Sequence, residues 1–272
     1  MFLYIWFHYI IMKKIPQDIV GDIAVLKFPR RTFWLVKKFK ARRFLKENKT
    51  IKTVLEKVEG FSGELRIPKT KYLAGVNTKD ATYRENDCVF KFNVDEVYFS
   101  PRLSNERKII SDQVVKLSKR SGSKILVMFA GVAPYPVTIA KKLKKVGKKA
   151  IVISNELNKN ANECAEKNIK LNKLQDYVIV LPGDANKLPI KLKDKFDIIL
   201  MPRPNLEDTF LRTALKMSKK GTTIFYHGFG TKEDVLGEIR RDTKGKIGPI
   251  KIRKAGNIGA YKFRWQVQFR VK

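Results

Sequence analysis

The sequence predicts an α/β chain in which a Rossmann-like domain over residues 104–272 follows a smaller α+β domain over residues 13–103. Short apolar runs alternate with stretches of helical spacing in the larger domain, which is the pattern of a parallel sheet covered on both faces. A C-terminal stretch in which apolar and polar residues alternate strictly indicates an antiparallel strand. The length of 272 residues is enough for two modest domains, each with its own core.

The α+β domain is predicted to contain a strand, a long helix and a β-hairpin. Gly21–Phe28 has the composition of a strand, and Thr32–Val58 is predicted to be helical. Residues 81–99 are rich in β-branched and aromatic side chains and predict two strands joined by a turn at Asn86-Asp87. Residues 1–12 are interpreted as a non-native start or an N-terminal strand, because the apolar run lacks the flanks of a signal peptide.

The predicted helix of this domain is strongly basic, with seven lysines and arginines between Lys37 and Lys49. Its candidate RNA-binding residues are Lys37, Lys38, Arg42 and Arg43. The run is interpreted as a contact for an RNA backbone or, alternatively, as a solvated helix face.

The larger domain opens with a strand, a glycine turn and a helix. Ile125–Met128 predicts a buried strand, Phe129-Ala130-Gly131 the turn, and helical spacing resumes near Val137. This geometry brings backbone N–H groups and a helix N-terminus up to a ligand, and a Cβ at Gly131 would hold the ligand away. An ordinary strand-to-helix turn with a convenient glycine is the alternative.

Polar residues or prolines follow each of the next three predicted strands. The strands are Ala150–Ser154, Val178–Leu181 and Phe196–Met201, and they lead to Glu156, Gly183-Asp184 and Pro202 respectively. Because the carboxyl ends of parallel strands meet at one edge, these residues predict a ligand-binding edge. Glu156 stands close to where an α/β nucleotide site places its acceptor for ribose hydroxyls.

Two helix starts carry polar signals. Asn158 is predicted to cap a helix that runs to Leu171, and Ser104 to cap a helix that carries Glu106 in its first turn. The helix dipole favours the ionised form of an acid at that position, and this effect alone explains many such acids.

The C-terminal part is predicted to contain one more helix and two strands. The helix is Asp208–Met217 with Gly221 as its stop, and the parallel strand Thr222–Tyr226 follows. Phe263–Val271 is the alternating stretch, predicted as a half-exposed antiparallel strand at a sheet edge. A parallel sheet closed by an antiparallel C-terminal hairpin favours a methyltransferase over a dehydrogenase by fold analogy.

Composition narrows the classes of partner. The sequence has 58 lysines and arginines and 26 acids, so its net charge is +32. This charge predicts a polyanionic partner and favours nucleic acid. Lysine enrichment of the thermophilic kind is the alternative, although glutamate does not match it here. Two cysteines and two histidines give no disulfide framework and no expected metal site, and the default is a reducing, cytoplasmic compartment. No apolar run reaches the length of a membrane span.

Several motifs together resemble the archaeal and eukaryotic tRNA (guanine-37 N1)-methyltransferases. They are Tyr98–Arg107 (YFSPRLSNER), Phe129–Pro134 (FAGVAP), Glu156–Asn158, Asn168–Asn172 (NIKLN) and Gly183–Ala185. The resemblance covers about residues 19–272. It implies a class I fold, S-adenosylmethionine as cofactor, and a tRNA anticodon stem-loop with its position-37 guanosine as substrate of a monomeric enzyme.

The resemblance also implies site residues. Those implied for the cofactor are Tyr98, Phe129, Ala130, Gly131, Val132, Glu156, Asn158 and Asp184. The substrate arginine falls on Arg66 and the general base on Glu106, while Arg102 and Arg107 support the RNA and the active site. Such a base removes the guanine N1 proton as the methyl group arrives, and a guanidinium stabilises the charge that develops on O6.

This sequence departs from the family pattern at several places. Members begin with a module that grips the tRNA elbow, and the resemblance does not extend to it. Val127 stands in place of an acid and Ala133 in place of a second glycine, which predicts weaker or reshaped cofactor binding. Pro202 replaces an asparagine and resembles an archaeal subgroup that also methylates a carbon of the tricyclic wyosine precursor imG-14, giving imG2.

Two other functions stay open at this point. One is the related transferase that moves the aminocarboxypropyl group of the same cofactor onto the wyosine precursor, against which Pro101–Leu103 and Glu106 argue. The other is a non-catalytic, basic RNA-binding protein with a degenerate cofactor site, for which Val127 and Ala133 argue.

Overall fold

The computed structural model describes residues 15–62, 67–120 and 122–272. Residues 1–12 and Arg66, which carry predictions above, lie outside the described residues. The chain divides into two compact units. The first comprises the chain up to Glu85 together with Val89–Arg102, and the second comprises Asn86–Cys88 with Leu103–Lys272.

The first unit is built on a four-stranded sheet in the order β1-β2-β3-β4. Its strands are β1 (Gln17–Val20), β2 (Ile23–Leu26), β3 (Thr53–Ser62) and β4 (Ile67–Gly75), followed by the two-stranded sheet of β5 (Asp80–Glu85) and β6 (Cys88–Asn93). β2 and β3 are parallel, and helix α1 (Trp34–Glu47) makes the crossover between them. Ala41 of α1 packs with Ala24 and Val54 in the core of this unit.

Two predictions for this unit are wrong in extent. The strand predicted at Gly21–Phe28 is present but shorter, as β2, because Gly21 adopts φ +62° in the turn that joins it to β1. The predicted helix Thr32–Val58 ends at Glu47. The β-branched residues that follow enter β3, since Thr53 pairs with Ile23 of β2 and the parallel ladder outweighs helical spacing.

The turn predicted at Asn86-Asp87 is confirmed, because both residues have positive φ, 49° and 61°. Two successive positive φ values are the signature of a hairpin turn that matches strand twist. The second strand is shorter than expected, since β6 ends at Asn93 and residues 94–99 leave the sheet.

The second unit is a seven-stranded sheet in the order β12-β13-β11-β10-β7-β8-β9. Its strands are β7 (Ser123–Met128), β8 (Ala150–Glu156), β9 (Val178–Pro182), β10 (Phe196–Met201), β11 (Ser218–Gly230), β12 (Lys251–Gly259) and β13 (Lys262–Arg270). Its helices are α2 (Ser104–Leu117), α3 (Pro134–Lys145), α4 (Lys159–Leu171), α5 (Leu188–Lys191), α6 (Leu211–Lys216) and α7 (Lys232–Thr243). Among the described residues no helix is both long and apolar enough to cross a membrane.

The predicted α/β fold with an antiparallel C-terminal hairpin is confirmed. Strands β9, β8, β7, β10 and β11 run parallel, whereas β13 is antiparallel to both β11 and β12. Successive strands proceed outward from β7 to β9, and the chain then returns to place β10 on the other side of β7. In such sheets the crevice at this reversal, outside the carboxyl ends of the strands, is where ligands bind.

Helix α6 and strand β11 of the second unit differ from prediction. Helix α6 begins at Leu211 instead of Asp208, because Phe210 adopts φ +57° and its N–H donates to Oδ1 of Asp208 over 2.8 Å. Gly221 is not a helix stop but lies inside β11, where its N–H donates to the carbonyl of Val271. Pairing with β13 therefore lengthens β11 beyond the local apolar run.

The other differences concern β13 and Ser104. β13 does not form the sheet edge, since β12 covers it, and Gln266 on the predicted polar face is buried. Ser104 is the first residue of α2 and not its cap; Leu103 occupies the cap position without a side-chain hydrogen bond.

Candidate active site

Glu106 is a buried carboxylate at the start of α2. The structure confirms its position in the first turn, and the side chain is only 6% exposed. Arg253 of β12 reaches it from the far end of the chain, and its Nη2 lies 2.8 Å from both carboxylate oxygens. A buried carboxylate without such a partner would be protonated, so Arg253 is what allows Glu106 to be both buried and charged.

His227 of β11 completes this cluster. Its Nε2 lies 3.4 Å from Oε1 of Glu106 without making a hydrogen bond that meets geometric criteria. Burial lowers the pKa of His227, and the nearby Arg264 and Arg253 add to that effect although Glu106 opposes it. The imidazole is therefore neutral at neutral pH, and Arg253 is the charged partner of Glu106.

The pKa of Glu106 lies below its ordinary value. Burial raises this pKa, but the contacts with His227 and the hydrogen bond and charge of Arg253 together outweigh burial. Because His227 is neutral, we attribute the lowering chiefly to Arg253. Glu106 is consequently an ionised carboxylate at neutral pH, ready to accept a proton.

The turn after β7 has an unusual backbone. Phe129, Gly131 and Ala133 have φ values of 59°, 56° and 64°, so every second residue is left-handed. The N–H of Ala130 donates to the carbonyl of Asn155, which ties the turn to the end of β8. Left-handed backbone costs a non-glycine residue about 1–2 kcal/mol, and such strain collects at functional sites. Phe129 and Ala133 are not glycines, so this cost applies at both positions.

Glu156 joins this turn to the next helix. Its Oε2 accepts the N–H of Gly131 over 2.8 Å, and its Oε1 accepts the N–H of Asn158 over 2.9 Å. Asn158 caps α4 as predicted, since Oδ1 accepts from the N–H groups of Asn160 and Ala161. Each carboxylate oxygen keeps a free lone pair for a further donor.

Asp184 follows the neighbouring strand β9. The N–H of Gly183 donates to the carbonyl of Glu156 over 2.8 Å, so the ends of β8 and β9 are tied together. Nδ2 of Asn155 reinforces this link by donating to the carbonyl oxygens of Leu181 and Gly183. Asp184 itself accepts the N–H of Asn186. The structure therefore brings Gly131, Glu156 and Asp184 to adjoining strand ends.

Pro202 lies directly after β10, the strand that flanks β7 across the topological reversal. The next residue, Arg203, is buried and holds the segment in place. Its Nε donates to the hydroxyl of Tyr226 over 2.9 Å, and its Nη1 donates to the carbonyl oxygens of Leu206 and Asp208. Tyr226 in turn donates to Oε1 of Glu238 over 2.6 Å.

The remaining predicted residues are distributed differently. Tyr98 and Arg102 belong to the first unit, where they line a cavity of about 220 Å³, and Arg102 pairs with Asp18 over 2.7 Å. Arg107 is only 2% exposed in α2, which favours a supporting role over a phosphate contact. On α1, Lys37 pairs with Glu56 and Arg43 with Glu47, whereas Lys38 and Arg42 are exposed.

Sequence reasoning missed Arg253, His227 and Arg203 as members of the site. Arg253 lies 147 residues from Glu106, in a strand without any motif. The scarcity of histidine is the one signal that could have drawn attention to His227, because only two histidines occur in the chain. Arg203 was visible only as part of a proline-flanked run.

Comparisons with known proteins give a consistent result. The model of the TRM5/TYW2 methyltransferase domain matches residues 81–247, and that of the TYW2 N-terminal domain matches residues 12–78. The tRNA (guanine(37)-N(1))/4-demethylwyosine(37)-methyltransferase Taw22 of Nanoarchaeum equitans is 41% identical over 305 residues, 92% of this chain and 97% of that protein. The tRNA (guanine(37)-N(1))-methyltransferase Trm5b of Pyrococcus abyssi is 32% identical over 262 residues, 93% of this chain and 74% of the relative.

Solved structures agree with this similarity. The crystal structure of Trm5b from Pyrococcus abyssi has a TM-score of 0.78 at 30% identity, with 94% of this chain and 75% of that chain covered. The complex structure of aTrm5 and tRNALeu has a TM-score of 0.80 at 26% identity, covering 95% and 72%. On the matched domain, the extent of the relatives and the shared fold, this chain belongs to the TRM5/TYW2 methyltransferase family.

Proposed function

We propose that this protein is an S-adenosylmethionine-dependent tRNA methyltransferase that methylates N1 of guanosine 37. The observation that carries the proposal is the buried, ionised Glu106 held by Arg253 in a family of methyltransferases. Guanine N1 carries a proton at neutral pH, so methylation there needs a base. The names of the Pyrococcus and Nanoarchaeum relatives support the substrate.

The strand ends beside the FAGV turn fit the nucleoside part of S-adenosylmethionine. Glu156 offers lone pairs to ribose hydroxyls, and Asp184 offers a carboxylate one strand further along. Phe129 supplies apolar surface beside Gly131, whereas Ala130 and Val132 are buried and shape the turn on either side of it. The N–H of Asn158 fixes the carboxylate of Glu156. When bound, the cofactor supplies an electrophilic methyl group on a sulfonium.

Glu106 then acts as the general base. A carboxylate with a lowered pKa is always deprotonated at neutral pH but is only weakly basic. The N1 proton therefore leaves as the methyl group arrives, in one transition state, and not in a separate step beforehand. We assign stabilisation of the charge on O6 to Arg66, a role that rests on the family motif.

Arg253 works through Glu106 and is a positioning residue. A single guanidinium nitrogen contacts both carboxylate oxygens, so each oxygen keeps capacity for the N1 proton. His227 packs against the same carboxylate as a neutral ring and keeps water away from Oε1.

Methylation of the tricyclic wyosine precursor imG-14 at carbon is a second proposed activity. Pro202 supports it, because proline offers no side-chain hydrogen bond with which to select a guanine edge. The Nanoarchaeum relative, named for both guanine-37 and 4-demethylwyosine-37, supports it too.

We further propose that the two units of the chain, which divide near residue 103, have different roles. The first unit supplies RNA contacts, and the second supplies the cofactor site and Glu106. The net charge of +32 predicts that binding to the anticodon stem-loop weakens steeply with salt. The two cysteines of the sequence, Cys88 and Cys164, are too few for a disulfide framework, which agrees with a reducing cytoplasm, where we expect a monomer.

Nucleoside mass analysis tests the proposal. The purified protein is incubated with a tRNA transcript and isotope-labelled S-adenosylmethionine, and the digested nucleosides are identified. N1-methylguanosine that depends on Glu106 is expected. An aminocarboxypropyl adduct would assign the related transferase, and no product with no cofactor binding in calorimetry would assign a non-catalytic RNA-binding protein.

A further inference from the structure

The outer face of α1 is apolar and aromatic although it is exposed. Trp34 and Phe39 are 55% and 54% exposed, and Leu35 and Phe33 beside them are similarly open. Single exposed apolar residues are ordinary, but four large ones within seven positions form a patch that marks an interaction site.

This face is not a misplaced core face. α1 packs on the sheet of the first unit through Ala41, with Phe44 and Leu45 partly buried beside it. Arg42 points away from this packing face, whereas Trp34, seven residues before Ala41, is exposed at the N-terminal end of α1. Trp34, Lys38 and Arg42 follow one another at intervals of four, so they form one exposed stripe that runs from the flank of the helix to its outer side. Leu35 and Phe39 form the adjoining stripe.

Cations are interleaved with these rings. Nζ of Lys38 lies 5.0 Å from the centre of the Trp34 ring, within cation–π range. Arg42 is exposed one turn further on. The helix carries six lysines and arginines and one acid, Glu47, which forms an ion pair with Arg43.

We propose that the outer face of α1, defined by Trp34, Lys38, Phe39 and Arg42, is a second RNA contact that stacks unpaired nucleotides of the tRNA. Trp34 and Phe39 present ring faces to bases, while Lys38 and Arg42 hold the adjoining phosphates. Stacking on aromatic side chains between cations is how proteins grip unpaired nucleotides without reading their sequence. The identity of the RNA as tRNA rests on the proposed function.

The charges of Lys38 and Arg42 favour an unpaired RNA strand over an apolar protein segment as the partner of this face. A hydrophobic protein segment on this face would leave Lys38 and Arg42 against an uncharged surface, which is costly. The apolar stretch Met1–Ile11 of this chain contains no acidic residue and cannot neutralise them. An unpaired polynucleotide supplies both a π-face and a phosphate at each step.

The test measures binding of an unmodified tRNA transcript to three variants of the full chain. Trp34→Phe retains a stacking ring, Trp34→Leu retains apolar surface without one, and Lys38→Gln removes a cation. Loss of one stacked base weakens RNA binding roughly 5- to 150-fold. We expect that loss for Trp34→Leu, near wild-type affinity for Trp34→Phe, and a reduced salt dependence for Lys38→Gln.

Matched controls lie elsewhere on the surface. Tyr261→Leu removes a ring that is 88% exposed in the turn between β12 and β13, and Lys145→Gln removes an exposed lysine at the end of α3. Neither is expected to change the affinity. A fully base-paired RNA of similar length is expected to lose the distinction between Trp34→Leu and wild type, because it offers no unpaired base.

Wild-type affinity of Trp34→Leu, with folding verified by circular dichroism, would overturn the stacking proposal. Equal losses for Trp34→Phe and Trp34→Leu would overturn it as well. The proposed function is scored separately, by whether the wild-type protein forms N1-methylguanosine in tRNA. A protein that never methylates tRNA yet loses RNA binding in Trp34→Leu would refute the proposed function and keep the RNA contact.

Discussion

Nη2 of Arg253 lies 2.8 Å from each carboxylate oxygen of Glu106, although 147 residues separate the two in the chain. This contact joins the edge strand β12 to the first turn of α2. It determines the charge of the one buried carboxylate in this region that is positioned to act as a base. Replacing Arg253 should therefore change the proton chemistry of Glu106, although Arg253 does not itself take part in the reaction.

Arg253→Gln should raise the pKa of Glu106, because burial then acts without its counter-charge. Since a base works deprotonated, the acid limb of the single-turnover rate should move to higher pH, with recovery in alkaline buffer. Single-turnover rates across a pH series measure this. Lys254→Gln, one residue along β12, is the matched control, and identical profiles for wild type and Arg253→Gln would refute the positioning role.

The same change has a stability consequence with a definite sign. The lowered pKa of Glu106 contributes stability that is present above the unfolded value of about 4.3 and lost as pH falls through the folded value. Arg253→Gln should remove this contribution, so its free energy of unfolding at neutral pH should fall by about 1–3 kcal/mol.

Glu106→Gln should lower single-turnover methylation of guanosine by about 10²–10⁴-fold, the usual contribution of a general base. Glutamine keeps size and polarity, so affinities for tRNA and cofactor should change little. Asp112→Asn on the same helix, an exposed acid paired with Lys142, is the control. A wild-type rate in Glu106→Gln would leave Glu106 as a structural partner of Arg253 at the start of α2 and not a base.

Glu156→Ala and Asp184→Ala should weaken binding of S-adenosylmethionine more than binding of RNA. A carboxylate that accepts ribose hydroxyls contributes about 1.5–3 kcal/mol, and Glu156→Ala also releases Gly131 and Asn158. Titration calorimetry with the cofactor measures the loss, with the exposed Glu163→Ala as control. Unchanged affinity in both variants would move the cofactor away from the ends of β8 and β9.

Pro202→Asn should shift the ratio of N1-methylguanosine to methylated tricyclic product toward N1. An asparagine amide can hydrogen-bond a guanine edge, whereas proline cannot. The ratio is read by nucleoside mass analysis of tRNA that contains either precursor. The same ratio in a variant of equal stability would remove this position from specificity.

Tyr226→Phe should lower the free energy of unfolding by about 1–3 kcal/mol, because it leaves the buried Nε of Arg203 without its acceptor and removes the hydroxyl that donates to Glu238. Burial raises the pKa of Tyr226, so its hydroxyl stays protonated and donates to Glu238 at all working pH values. Denaturant titration gives the change. Tyr72→Phe removes an exposed hydroxyl that donates to Gly75, and its effect should be much smaller.

The sequence by itself determined what depends on neighbouring residues. Asn86-Asp87 makes a turn because both tolerate positive φ, Asn158 caps α4 because its side chain reaches two N–H groups, and Glu106 enters the first turn of its helix. Apolar runs located the strands from β7 to β10. The central strands β7 and β10 are buried along almost their whole length, whereas the edge strand β9 is partly exposed. The alignment of Glu156, Asp184 and Pro202 along one edge then followed from parallel topology.

Only the tertiary structure decided where distant partners meet. β3 replaced the end of a predicted helix because β2 offered it a parallel ladder, and β11 lengthened because β13 paired with it. Arg253 and His227 contact Glu106 because β12 and β11, on either side of β13, both pass near the start of α2. No local sequence pattern predicts such a long-range contact. Local spacing encodes backbone preference, whereas the charge of a buried carboxylate depends on which cation the folded chain brings within reach.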